Sequence, residues 1–166
     1  MNHPLSEVTA ELSGSPERGR AYQYIRDLQN GSAPGGNARV LGTLTVKCAG
    51  IPAPGETPSS RAWDLREIAI YCHAWLEALG VMDGWRAMRE EYDRAKAKHG
   101  DNTLDSLTMD DDMKFFALME EVGEIARALT YDREHAGELV DEITQTGALA
   151  LAWYVAYRKI AQEVHS

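Results

Sequence analysis

Apolar positions recur every three or four residues through most of this chain after residue 60, and the periodic stretches are separated at glycines. The first begins after Ser59-Ser60, either of which suits a helix cap, and runs over 61–79 to Gly80. A second spans about 82–98 and ends at His99-Gly100, and 101–108 reads as a loop. A third helix is predicted over 110–130, opening on Asp110-Asp111-Asp112, whose charges suit the positive end of a helix dipole. The fourth is predicted over 134–164. The expected fold class is therefore all-α, a four-helix bundle occupying 61–166.

Residues 1–60 read differently. Glycine and proline crowd the run Asn30 to Asn37 and the stretch Ile51 to Pro58, and no long regular element is expected to cross either. Between them, Arg39 to Lys47 alternates weakly in β-formers and suggests one strand; Ser15-Pro16-Glu17 suggests the start of a helix running to about Leu28. A single strand has no partner in this sequence. The expectation for 1–60 is an irregular N-terminal appendage, partly disordered or docked on a neighbouring subunit.

Composition narrows the function. A chain of 166 residues can bury a core without metal or disulfide. With 17 Lys plus Arg against 26 Asp plus Glu, a net charge of −9, it lacks the basic surface that nucleic acid or anionic lipid would need. No stretch is long and apolar enough to suggest a membrane span. A phosphorylated small molecule stays open, because a divalent cation can bridge carboxylates to phosphates. Cys48 and Cys72 form no CxxC pair and read as reduced thiols. The five histidines are scattered, without the spacing of a zinc site. No basic start followed by an apolar run opens the chain, so the expected location is cytoplasmic.

The informative acids lie on the last two predicted helices. On the third, Phe115, Leu118, Val122, Ile125 and Leu129 mark an apolar stripe. At 100° per residue Glu121 falls about 70° from its centre, Glu124 about 130°, and Glu120 nearly opposite. On the fourth, the stripe passes through Leu139, Ile143, Thr146, Ala150, Trp153, Tyr157 and Ile160, with Glu138 and Asp141 one turn apart on its flank and Glu142 near the stripe itself. One such pair is an ordinary solvated face. Two pairs on successive helices, each at the margin of a core, call for a compensating cation. The short connection Tyr131-Asp132-Arg133 favours antiparallel packing, which would bring the pairs together as hard oxygen ligands for Mg²⁺, with Mn²⁺ as the alternative. The competing reading is a non-catalytic helical protein-interaction module with a solvated acidic face.

Glu120-Glu121-Val122-Gly123-Glu124, a gap of thirteen residues, then Glu138-Leu139-Val140-Asp141 resembles the EExxE…ExxD signature of the MazG-type nucleotide pyrophosphohydrolases. That all-α superfamily also includes the dimeric all-α dUTPases and phosphoribosyl-ATP pyrophosphatases. The resemblance covers roughly Tyr92 to Tyr157 and departs from many members in having Ala136-Gly137, with no basic residue, just before the ExxD. It implies a MazG-like bundle that uses Mg²⁺ to convert a (deoxy)nucleoside triphosphate to the monophosphate and pyrophosphate. The metal-ligand roles fall on Glu121, Glu124, Glu138 and Asp141, with Glu120, Glu121 and Glu124 as the catalytic carboxylates; Glu120 or Glu124 would handle the attacking water.

Basic residues should complete the site. Lys114, Arg127, Arg133 and Arg158 are the candidates for phosphate contact, against the ordinary alternative of surface ion pairs worth ~0.3–0.5 kcal/mol each. Trp153 and Tyr157 stand between stacking on a base and a place in the core, while Trp63, Trp75 and Trp85 read as core. Leu151 and Val155, opposite the main stripe of the last helix, suggest a homodimer or tetramer in which a partner covers them.

Overall fold

The computed structural model describes residues 3–30, 36–52, 56–130 and 136–164. Among them are seven α-helices and no strand: α1 (Ser6–Ser13), α2 (Pro16–Asn30), α3 (Gly36–Gly50), α4 (Pro58–Ala78), α5 (Gly84–His99), α6 (Asp111–Thr130) and α7 (Ala136–Val164). The all-α expectation holds, and α4 to α7 lie where the periodicity puts them. Gly80 and Gly100 have φ of 93° and 63°, so each helix stop falls on a residue with no Cβ to clash in the left-handed region. The start of α4 sits slightly upstream of the serines. Thr57 is its cap, its hydroxyl accepting from the Ser60 amide while Ser60 Oγ accepts from the Thr57 amide, and Pro58 takes the first helical position.

The N-terminal third differs most from expectation. Arg39 to Lys47 lies within α3, not in a strand: Val40, Leu44 and Cys48 recur at four-residue intervals and are all buried, a helical stripe that outweighs the local β-formers. Nor is the segment a separate appendage in its packing. Leu5, Val8 and Leu12 flanking or within α1, Ile25 of α2 and Ile51 after α3 belong to the same apolar cluster as α4 to α7. Each such fully buried aliphatic side chain contributes about 1.5–3 kcal/mol. Cross-element pairs fix the arrangement: Arg18–Glu77 at 3.1 Å, Arg66–Glu17 at 3.2 Å, Lys47–Glu67 at 2.6 Å and Arg158–Glu11 at 2.7 Å.

Helix α7 is the axis of the molecule, packed against α4, α5 and α6. Its turns from Ala150 to Tyr157 are buried on every side. Leu151 and Val155 are therefore covered within one chain, and the case for a partner subunit built on them falls away. Close approach occurs at Gly147, where a Cβ would stand 2.5 Å from Met88 Cε and 3.0 Å from Cys72 Cβ. Trp153 and Tyr157 take the core role and stack on each other at 6.2 Å, as do Trp75 and Trp85 in being buried; Trp63 instead lies half exposed with Arg66 4.9 Å from its ring centroid. Ile160, expected in the α7 stripe, is exposed. Both cysteines are buried free thiols, and burial pushes Cys48 up to about 12. No helix among the described residues is long and apolar enough to cross a membrane.

Candidate functional site

The buried register of α6 is Lys114, Leu118, Val122 and Ile125, shifted by one residue at its start from the stripe expected through Phe115. That register leaves Glu121 on the margin facing α7, where its carboxyl hydrogen-bonds Glu142. The two helices run antiparallel, since Tyr157 Oη donates to Asp111 Oδ2 at 2.7 Å near the far end of the same interface. Glu121 is pushed up to about 7, first by burial and then by the charges of Glu142, Glu120 and Glu91. Glu142 is also raised, by burial first, with Glu124 and Asp141 adding repulsion and Arg127 relieving some of it. Five carboxylates from three helices thus repel one another around Glu121.

Two arginines flank this cluster. Arg94 of α5 forks onto Glu91 through Nε and one terminal nitrogen, both at 2.8 Å, and the charges of Asp141 and Glu121 also stabilise it. Arg127 lies 2.7 Å from Glu124 Oε2, an ion pair without hydrogen-bond geometry. These cations answer only part of the negative charge.

Beside the acids, α5, the segment after it, α6 and α7 enclose a cavity of about 480 Å³. Its ends differ chemically. Glu91, Glu120, Glu121 and Gln145 line one end; two to three helical turns away, Leu104, Met109, Met113 and Ala152 line the other. Arg94, Lys98 and His99 lie along its α5 wall. The loop expected over 101–108 extends to 110, with α6 beginning one residue later, and it is tied down by Asp105. That buried carboxylate accepts from Tyr92 Oη at 3.0 Å, Lys96 Nζ at 3.0 Å and Thr103 Oγ1 at 2.6 Å. Burial alone would raise Asp105, but these hydrogen bonds and the Lys96 charge hold it below the ordinary carboxylate range.

The expected ligand set is only partly brought together. Glu121 and Asp141 share the cluster, Glu124 is engaged by Arg127, and Glu138 is exposed at the start of α7. Among the described residues no three His, Cys, Asp or Glu side chains stand together at ligating distance. The donor chemistry nonetheless suits a hard divalent cation. All the donors are carboxylate oxygens, and burial together with its acidic neighbours pushes the central one, Glu121, up to about 7.

Among the expected phosphate contacts, Lys114 is a correction. It falls inside the buried stripe of α6, 3.8 Å from Asp111, and burial lowers its affinity for a proton. Arg158 is another, since it points to α1, pairing with Glu11 at 2.7 Å and Glu7 at 3.8 Å, away from the cavity. Arg127 stays beside the cluster, and Arg133 lies outside the described residues. Glu142, Glu91, Arg94 and Lys98 are the members that residue spacing overlooks; of these only Glu142 carried a signal, its place near the α7 stripe. No family model matches this chain, and no curated protein or solved structure matches it either.

Proposed function

We propose that this chain is a Mg²⁺-dependent nucleotide pyrophosphohydrolase that converts a (deoxy)nucleoside triphosphate to the monophosphate and pyrophosphate. The observation that carries the proposal is Glu121: a half-buried carboxylate raised to about 7 by burial and by three acidic neighbours, Glu142, Glu120 and Glu91, in the wall of a cavity large enough for a nucleotide. Such a site stores negative charge that a divalent cation offsets.

Glu121, Glu142 and Asp141 would hold the cation, with Glu124 and Glu138 from the two motifs completing its surroundings. Mg²⁺, when bound, offsets the phosphate charge and polarises the phosphorus under attack. Glu120 is exposed on the cavity wall and is the carboxylate that accepts the proton of the attacking water; Glu124 is less suited because Arg127 engages it.

The test is direct. With Mg²⁺ present, the protein is incubated with each ribo- and deoxyribonucleoside triphosphate and pyrophosphate is measured; release from at least one is expected. Glu121→Gln and Asp141→Asn should each lower turnover by about a hundredfold or more while leaving the helical signal intact. Absence of pyrophosphate from every triphosphate at high protein concentration sinks the hydrolase reading. It would favour the interaction module instead, whose specific support is the exposed apolar pair Met113 and Phe116, one turn apart on α6.

A further inference from the structure

Cations are scarce in this chain, and most already have partners. Of the expected phosphate contacts, Lys114, Arg127 and Arg158 are held by Asp111, Glu124 and Glu11. Lys96, at the end of α5, does what basic residues at a helix C-terminus ordinarily do and anchors to a nearby acid, here Asp105. Lys98 does not. Among the described residues the side chains of Lys98, Arg26 and Arg39 make no hydrogen bond or ion pair, and of these three only Lys98 lines the cavity.

Position on α5 matters as much as availability. Arg94 and Lys98 are four residues apart, on one face and about 6 Å apart along the axis, a span suited to successive groups of a phosphate chain. The Arg94 side chain is largely exposed, so its fork can pass from Glu91 to an incoming phosphate without unburying anything. Met109 and Met113 line the same cavity, flexible polarisable side chains that pack well on the face or edge of an aromatic ring.

We infer that α5 supplies the phosphate clamp of this cavity, Arg94 and Lys98 gripping the phosphate chain of a nucleotide while the Met109–Met113 end receives its base. This rests on the hydrolase reading for the identity of the ligand, but it replaces the phosphate contacts expected from spacing with a set on a different helix. It also makes the specificity of the site a property of the segment after α5, which carries Met109 and is fastened by Asp105.

Binding, measured without turnover, decides it. Calorimetry in Mg²⁺ would compare inorganic pyrophosphate with the α,β-methylene analogues of the common deoxynucleoside triphosphates. Lys98→Ala should weaken both classes of ligand about tenfold, whereas Arg39→Ala, which removes an equally unpaired charge from exposed α3, should weaken neither. Met113→Gln should weaken the nucleotide analogues about fivefold and leave pyrophosphate unchanged. Both substituted side chains are solvent-accessible or unpaired, and unchanged melting curves would verify the fold. Equal affinities for Lys98→Ala and Arg39→Ala overturn the clamp, and parallel losses of pyrophosphate and nucleotide in Met113→Gln overturn the base assignment. Should the variants behave as expected while hydrolysable triphosphates yield no pyrophosphate, the pocket stands and the hydrolase reading fails; turnover with Lys98→Ala indistinguishable from wild type does the reverse.

Discussion

Two carboxylates withdrawn from water, Asp105 buried and Glu121 half-buried, are compensated in opposite ways. Asp105 is enclosed by donors, a lysine, a tyrosine and a threonine, and sits below the usual carboxylate range although burial works against it. Glu121 is enclosed by other acids, and its nearest answer to burial is a proton shared with Glu142. The first arrangement is complete within the chain and fastens a loop. The second is left uncompensated within the described residues, and under the proposed function a cation would offset it. Burial of a charge is therefore not by itself a sign of function; what surrounds it is.

The largest effect should come from breaking the complete cluster. Asp105→Ala strips Lys96, Thr103 and Tyr92 of their shared acceptor and should destabilise the fold by about 3 kcal/mol, seen as a melting temperature lower by roughly 10 °C. A loss below about 1 kcal/mol in denaturant titration would show that the loop is held by something else. Glu121→Gln should behave in the opposite sense. Without divalent metal at pH 8 it relieves repulsion from Glu91, Glu120 and Glu142 and should be neutral or stabilising by ~1 kcal/mol.

The pH profiles sharpen the contrast. A folded value near 7 for Glu121 against 4.5 means the native state holds a proton that the unfolded chain has lost, so its stabilising contribution is present at acid pH and declines as pH rises through that interval. Wild type should therefore lose stability relative to Glu121→Gln between about pH 4.5 and 7, then run parallel above it. Asp105 has the reverse sign: its contribution is present above the ordinary aspartate range and is lost as pH falls below it. His73, stacked on Trp85 and lowered to about 4 mainly by burial, also favours higher pH, but it cancels in a difference between the two proteins. A difference curve that is flat from pH 4.5 to 7 contradicts the crowding of Glu121. The smallest expected effect is ligand linkage: millimolar Mg²⁺ should raise the wild-type melting temperature by about 3 °C and leave Glu121→Gln unmoved.

How much of this could be read from the letters depends on how local the cause is. Helices α4 to α7 were legible because their stops are glycines at positive φ and their stripes repeat faithfully. Helix α3 was not, because Thr43, Thr45 and Val46 suggest a strand by propensity while Val40, Leu44 and Cys48 bury themselves at helical spacing, and packing wins over propensity. Lys114 shows a related effect: it precedes Leu118 and Val122 by one and two turns, so helical register places it in the buried stripe despite its charge. Glu121 was recognisable from the margin of its helix. Its contact with Glu142 and the α5 wall of the cavity were not, since both depend on how helices far apart in sequence are set against each other.

The seat of α1 has a consequence in time. Thr9 receives a hydrogen bond from Arg89, Glu11 pairs with Arg158, and Leu5, Val8 and Leu12 are buried by elements made much later. Helix α1 can therefore dock only once α5 and α7 are in place. Until then its apolar side stays in solution, so the finished fold depends on keeping that short segment from sticking to anything else in the interval.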